Sequence, residues 1–288
     1  DTLLFNGLLV WLNDHGALAT QYLEQHCNGF EETLSVARAC APSVLAVARG
    51  CDLRAVDVER FYRWFAETDR TVTAFSQGIN QSVAGTDKAN AIINCHLATG
   101  RVGRPGASPF SLTGQPNAMG GREVGGLANT LAAHMDYDTP GAVQRVADFW
   151  HSEKLAAGPG YKAVDLFEAV HRGDIRVLWV MGTNPAVSLP DSARVREALA
   201  RCETLIVSDC VAQTDTTAYA DILLPAAGWG EKDGTVTNSE RCISRQRRFL
   251  PVPEGVRPDW RIIRDIAQAL GYGHAFDYQE PAEIFREH

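Results

Sequence analysis

Ile175-Arg-Val-Leu-Trp-Val-Met-Gly-Thr-Asn-Pro185 and, further on, Thr204-Leu-Ile-Val-Ser-Asp209 decide the fold. Each begins as an apolar run rich in β-branched residues, the composition of a strand, and stops at small or polar residues. Between them Asp191 or Ser192 can cap a helix that runs to about Arg201. Asp221-Ile-Leu-Leu-Pro225 adds a third short strand. Strand, helix and strand with continuous apolar runs predict a parallel sheet buried on both faces, and hence an α/β protein. In such sheets ligands bind outside the carboxyl ends of the strands, where Asn184, Ser208 and Asp209 fall.

Working outward, the chain upstream repeats the alternation. Leu4, Leu8, Leu9 and Leu12 recur at helical spacing, with Gly16 as a stop. A second helix is expected from Asp57 to about Glu67, with Phe61, Trp64 and Phe65 on one face. Thr71-Val-Thr-Ala-Phe-Ser76 reads as a strand running into Gln77-Gly-Ile-Asn-Gln81 and a small-residue turn. A helix from about Asp87 to Thr99 follows, closed by Gly100. A strand, a glycine-containing turn and a helix present backbone N–H groups to a ligand. From Gly103 to Gly126, glycines and prolines break all periodicity, yet Phe110, Leu112, Gln115, Asn117 and Met119 are not linker residues; a fixed loop close to a ligand is expected.

Bulk properties exclude several classes. The 288 residues are 45 % hydrophobic and 22 % charged, enough for a core in one or two domains. A net charge of −8 argues against a nucleic-acid binder, and Arg241, Arg245, Arg247 and Arg248 read as a solvated face. No apolar run reaches the roughly 18 residues of a membrane span. The seven cysteines are widely spaced with no CxxC, so neither a disulfide framework nor a zinc or iron–sulfur site is readable, and thiols in a reducing compartment are expected. Neither GxGxxG nor GxxxxGK[ST] follows a strand, which removes nicotinamide and ATP readings.

Taken singly, the polar residues have local explanations. Asp209 serves equally as a cap, Asn184 before Pro185 as a turn starter, and Lys232 in Trp229-Gly-Glu-Lys-Asp-Gly234 as an exposed turn lysine. Together they offer a carboxylate for guanine donors, a cation for phosphate, and small polar groups for a ribose, which is a nucleotide-like set. Arg122 either pairs with Glu123 or a neighbour, or stands ready for a small oxyanion.

Ser76-Gln-Gly-Ile-Asn-Gln-Ser82, Gly85-Thr-Asp-Lys88 and Asn90-Ala-Ile-Ile-Asn-Cys-His-Leu-Ala-Thr-Gly-Arg-Val-Gly-Arg-Pro-Gly106 resemble the molybdopterin oxidoreductase superfamily. Pro109-Phe-Ser-Leu-Thr-Gly-Gln-Pro-Asn-Ala-Met-Gly-Gly-Arg-Glu-Val-Gly125 narrows the resemblance to its nitrate reductase branch, the assimilatory enzymes above all, and Trp229 to Arg241 agrees. The resemblance implies two α/β lobes with parallel, Rossmann-like sheets, as in the central domains of enzymes that use bis-molybdopterin guanine dinucleotide. The lobes are expected at residues 1–115 and 116–240, with 241–288 starting a return segment. Position by position, it implies that Gln77, Gly78 and Gln81 contact one pterin dinucleotide and that Gln115 lies beside the pterin. Arg122 lines the substrate pocket, Asn184, Ser208, Asp209, Lys232 and Asp259 hold the second dinucleotide, and Asp1 closes the first guanosine site. Periplasmic relatives carry Met where this chain has Gln77.

The implied reaction is nitrate to nitrite at molybdenum. The implied electron donor is ferredoxin, flavodoxin or an NADH-linked reductase subunit, acting through a [4Fe-4S] cluster in a cytoplasmic enzyme with no nucleic-acid partner. The cysteines that bind cluster and molybdenum in the family match none of the seven here, so an internal piece of a longer protein is expected. Formate dehydrogenase shares the scaffold, and some relatives have lost the molybdenum cofactor. The retained Gln81, Gln115, Asp209, Lys232 and Asp259 weigh against the latter.

Overall fold

The computed structural model describes all 288 residues, which divide into two compact units, Asp1–Pro116 and Asn117–His288.

In the first unit, helices α1 (Thr2–Asp14), α2 (Thr20–His26), α3 (Phe30–Cys40), α4 (Val44–Cys51) and α5 (Ala55–Glu67) precede strand β1 (Val72–Phe75). The short α6 (Gln77–Asn80) and the longer α7 (Gly85–Ala98) then lead to β2 (Ser108–Ser111). The leucines that announced α1 explain its place. Leu8, Leu9 and Leu12 are at most 1 % exposed, and α3, α4, α5 and α7 surround them. Burying each such side chain stabilises the fold by roughly 1.5–3 kcal/mol.

β1 and β2 pair in parallel, Val72 opposite Ser108 through Phe75 opposite Ser111. β2 lies inside the glycine- and proline-rich stretch read as loop. Its Ser-Pro-Phe-Ser sequence carries a proline that a two-stranded sheet tolerates at its edge, and so lacked strand character.

Arg101, only 3 % exposed, fastens this unit internally. Its Nη2 donates to the carbonyls of Phe65 and Thr68, each at 2.7 Å, where α5 ends, and its guanidinium lies over the Phe65 ring. The cation thus satisfies carbonyls at a helix C-terminus that have no partner within the helix. Beside it His96 is fully buried; its Nε2 shares a 2.7 Å hydrogen bond with Thr73 Oγ1, and its Nδ1 has no partner. Burial, helped by the Arg101 charge, holds the imidazole down at about 4.

The second unit opens with α8 (Ala118–Glu123), α9 (Ala142–Trp150) and α10 (Ala163–Arg172). β3 (Val177–Met181), α11 (Pro185–Ser188), α12 (Ser192–Arg201), β4 (Thr204–Asp209) and β5 (Ile222–Pro225) build its sheet. The hairpin of β6 (Gly234–Thr237) and β7 (Ile243–Gln246), then α13 (Asp259–Ala267) and α14 (Pro281–Glu287), complete it. Strand order is β3-β4-β5, all parallel, with Val177 opposite Thr204 and Ile206 opposite Ile222. Asp191 caps α12, its Oδ1 accepting from Arg194 N.

The sheet's two faces are unequal, which corrects the expectation of full burial on both. Leu178, Val180, Leu205 and Val207 form a core with Phe167 and Val170 of α10 and with Val195, Ala198 and Leu199 of α12. Trp179 and Ile206, on the alternate positions, are half-buried, and Val177 is 60 % exposed. A residue period of two therefore separates the faces. No single helix is long and apolar enough to cross a membrane.

Replacing Arg101 by Ala strands the α5 carbonyls and is expected to lower unfolding free energy by about 3 kcal/mol, measured by urea denaturation. His96 binds a proton near 6.5 when unfolded but only near 4 when folded. Stability contributed by the neutral imidazole is therefore complete above pH 6.5 and is lost as pH falls toward 4. Between pH 7 and 5 that loss amounts to about 2 kcal/mol, and denaturation of His96→Gln at both pH values should show a flatter dependence.

Candidate functional site

Parallel order brings the carboxyl ends of β3, β4 and β5 to one edge of the second unit's sheet. Asn184 follows β3, and its Oδ1 accepts from both N (3.1 Å) and Oγ1 (2.7 Å) of the fully buried Thr216. This ties the loop after β3 to the loop after β4. Nearby, the Arg196 guanidinium bonded to Asp215 (2.7 Å) holds that carboxyl below the usual carboxylate range.

Asp209 ends β4. One carboxylate oxygen accepts from Val211 N at 2.9 Å, the local turn expected of a cap, and the other carries no hydrogen bond from the chain. The capping and ligand readings of Asp209 are thus compatible. Past β5, Arg257 forms a parallel bridge to Ala226; its N donates to Pro225 O (3.1 Å) and its O accepts from Ala227 N (2.9 Å). Asp259 follows Pro258 at the start of α13 and so reaches the same edge. Lys232 Nζ donates to Asp259 Oδ2 at 2.5 Å, with the two side chains 33 % and 35 % exposed. A pair that open adds at most about 1 kcal/mol, so its main effect is to hold an ammonium in place.

Ser208 departs from the expectation of a hydroxyl offered to a ligand. It is fully buried, and its Oγ accepts from Trp179 Nε1 at 2.8 Å. A hydroxyl one residue short of the strand end points into the sheet's side-chain layer, so only the backbone of Ser208 is at the edge.

In the first unit, the segments that follow β1 and β2 are joined side chain to side chain. Gln77 Nε2 donates to Gln115 Oε1 at 3.0 Å, and Asn80 Nδ2 donates to Ser111 Oγ at 2.8 Å. Gln81 is exposed, and Gly78 has open space where a Cβ would stand. The turn closes tightly on the next helix: a Cβ on Gly85 would lie 2.8 Å from the Ile79 carbonyl oxygen. Lys88 Nζ donates to Gly78 O at 3.4 Å and lies 3.8 Å from the exposed Asp1 carboxylate. Lys88 lies in the Gly85-Thr-Asp-Lys88 motif but has no role in the sequence reading, and Thr216, one of several threonines in a turn, carries no pattern that marks it.

Arg122, on α8, is exposed, and its side chain makes neither a hydrogen bond nor an ion pair. Glu123 is engaged elsewhere, accepting from Thr237 Oγ1 (3.2 Å) and Arg241 Nε (3.4 Å). The pairing of Arg122 with its neighbour is therefore not observed. No three His, Cys, Asp or Glu side chains converge to hold a metal ion, and all seven cysteines are free thiols.

Chemically, the edge at Asn184, Asp209, Lys232 and Asp259 offers an open carboxylate oxygen for amidine-type N–H donors and a fixed cation for phosphate. That donor set fits a guanine dinucleotide. The pair Gln77–Gln115 offers amide groups of both polarities to a flat heterocycle.

The chain is 53 % identical over 285 residues to a nitrate reductase of Klebsiella oxytoca, covering 99 % of this chain and 32 % of that protein. It is 44 % identical over 287 residues to a nitrate reductase of Shewanella frigidimarina, covering 100 % of this chain and 30 % of that protein. An F420-dependent formate dehydrogenase subunit alpha of Methanocaldococcus jannaschii is 28 % identical over 284 residues, 99 % of this chain and 41 % of that protein. The chain spans about a third of the length of the curated nitrate reductases it matches. The family model of the molybdopterin oxidoreductases matches residues 30–269, and the chain belongs to that family.

Proposed function

We propose that the chain is the cofactor-binding central portion of a molybdenum-dependent nitrate reductase of the assimilatory type. The observation that carries this reading is the convergence of Asn184, Asp209, Lys232 and Asp259 at the carboxyl edge of one parallel sheet. The 53 % identity to a nitrate reductase supports the choice of substrate, against 28 % to a formate dehydrogenase subunit.

When bound, molybdenum held by two molybdopterin guanine dinucleotides supplies oxygen-atom transfer: nitrate, two electrons and two protons become nitrite and water. The chain's residues bind and orient. Asp209 accepts from the guanine N–H donors of one dinucleotide, and Lys232, steadied by Asp259, neutralises its phosphates. Asn184 holds the loop that lies against it, and the Ser208 backbone completes that edge. Gln77, Gly78, Gln81 and Gln115 receive the other pterin, and Asp1 closes its guanosine site. Arg122 attracts nitrate: a planar guanidinium with parallel N–H donors matches a planar anion whose oxygens lie in one plane.

Residues 1–115 and 116–240 serve as the two cofactor lobes, and 241–288 leads back toward the rest of the enzyme. A [4Fe-4S] cluster held elsewhere in the enzyme would supply the electrons, with reduced ferredoxin, flavodoxin or an NADH-linked subunit in the cytoplasm as donor.

Steady-state assays of the cofactor-loaded enzyme with nitrate and with formate test the reading; turnover of formate and none of nitrate would overturn it. Arg122→Ala should raise KM for nitrate at least tenfold, the order expected when one charge-assisted contact of about 1.5–3 kcal/mol is removed, with molybdenum content retained. Normal nitrate kinetics in that variant would remove Arg122 from substrate handling. Asp209→Asn should lower the guanine nucleotide recovered per protein after acid release, because an amide presents a donor where the guanine needs an acceptor. Full nucleotide content would contradict the role of Asp209.

A further inference from the structure

The Arg122 side chain has no hydrogen bond or ion pair to aim it, so its direction is inherited from the backbone of α8. That helix has six residues, two of them Gly120 and Gly121, far below the length and propensity at which a helix is stable alone. Something outside the helix must hold it.

The hairpin does. Thr237, the last residue of β6 and 7 % exposed, donates from its N to Asn117 Oδ1 at 2.9 Å and from its Oγ1 to Glu123 Oε2 at 3.2 Å. Asn117 and Glu123 bracket α8, so one buried threonine grips both of its ends. Arg241 adds a second contact to Glu123 at 3.4 Å, from a left-handed backbone (φ +59) in a turn closed by the Asn238 side chain. Space for the Asn117 side chain exists only because residue 120 is glycine; a Cβ there would stand 2.4 Å from Asn117 Oδ1. At the hairpin's other end, Gln246 Nε2 donates to the carbonyls of Trp229 (2.8 Å) and Lys232 (3.2 Å).

We propose that Glu123 is a positioning residue for Arg122, and that the β6–β7 hairpin holds the oxyanion-facing arginine and the Lys232 turn in one rigid frame. The inference rests on the substrate role given to Arg122 above. Glu123 itself touches no substrate; it acts by keeping α8 folded and turned.

The test uses the cofactor-loaded enzyme with Glu123→Ala, the milder Glu123→Gln and Thr237→Val, and Arg122→Ala as reference. Nitrate KM and kcat, molybdenum per protein, and amide hydrogen exchange across residues 117–125 are measured for each. Glu123→Ala should raise nitrate KM roughly tenfold or more, with kcat at saturation and molybdenum content near the parent's, and should speed exchange in residues 118–124. Glu123→Gln, which keeps an acceptor for Thr237, should fall between. If Glu123→Ala does not yield folded enzyme, Glu123→Gln and Thr237→Val carry the same comparison. Unchanged exchange in 118–124 overturns the clamp, and so does molybdenum content falling in step with activity. Should Arg122→Ala leave KM unchanged, the substrate role of Arg122 fails, while the exchange measurement still decides the clamp. A raised KM in Arg122→Ala with none in Glu123→Ala rejects the positioning role alone.

Discussion

Parallel pairing of β3 with β4 forces two chain ends that are distant in sequence to finish side by side, Met181 next to Ser208. The carboxyl-edge part of the candidate site hangs on that constraint. The pairing survives because Leu178, Val180, Leu205 and Val207 are sealed against α10 and α12 on one face of the sheet. With the strands fixed, the residues just beyond them have little freedom, and β5 and the Arg257 bridge extend the row. Asn184, Asp209, Lys232 and Asp259 come from four separate stretches of sequence, and the sheet edge is what they share.

The same geometry separates side chains that stabilise from side chains that remain available. Ser208, inside the ladder, spends its hydroxyl on Trp179, whereas Asp209, one residue later, keeps a carboxylate oxygen open. Arg101 and Arg122 make a parallel contrast. The first is buried among carbonyls and holds helix α5 to its neighbours; the second is exposed and free of partners. Identical side chains take opposite duties according to whether folding has already satisfied their donors.

Much of this was legible in the sequence. The strands at Ile175 and Thr204, the helix after Asp191 and the leucine-rich α1 follow from period and capping, which are local properties. Their polar termini marked three of the four edge positions before any resemblance was considered; Asp259 came only from the resemblance, because it reaches the edge through an isolated bridge that no local pattern announces. β2 escaped because pairing with β1, and no propensity of Ser-Pro-Phe-Ser, makes it a strand. The burial of Ser208 was hidden since its indole partner lies on another strand. Glu123 was read as a possible partner of Arg122 because they are adjacent, but adjacent helical residues point to different sides, and its true partner lies more than a hundred positions away.

The division between a sealed face and an open edge also bears on how such a chain changes over generations. Substitutions at Leu205 or Val207 disturb packing and are purged for stability, whatever the reaction catalysed. Substitutions at the half-buried Asp209, or at the exposed Arg122 on its short helix, lie outside that packing and change the polar groups offered to solvent. Selection can therefore vary the polar groups at the edge while the frame stays constant. A nitrate reductase and a formate dehydrogenase subunit both align along nearly all of this chain, at 53 % and 28 % identity.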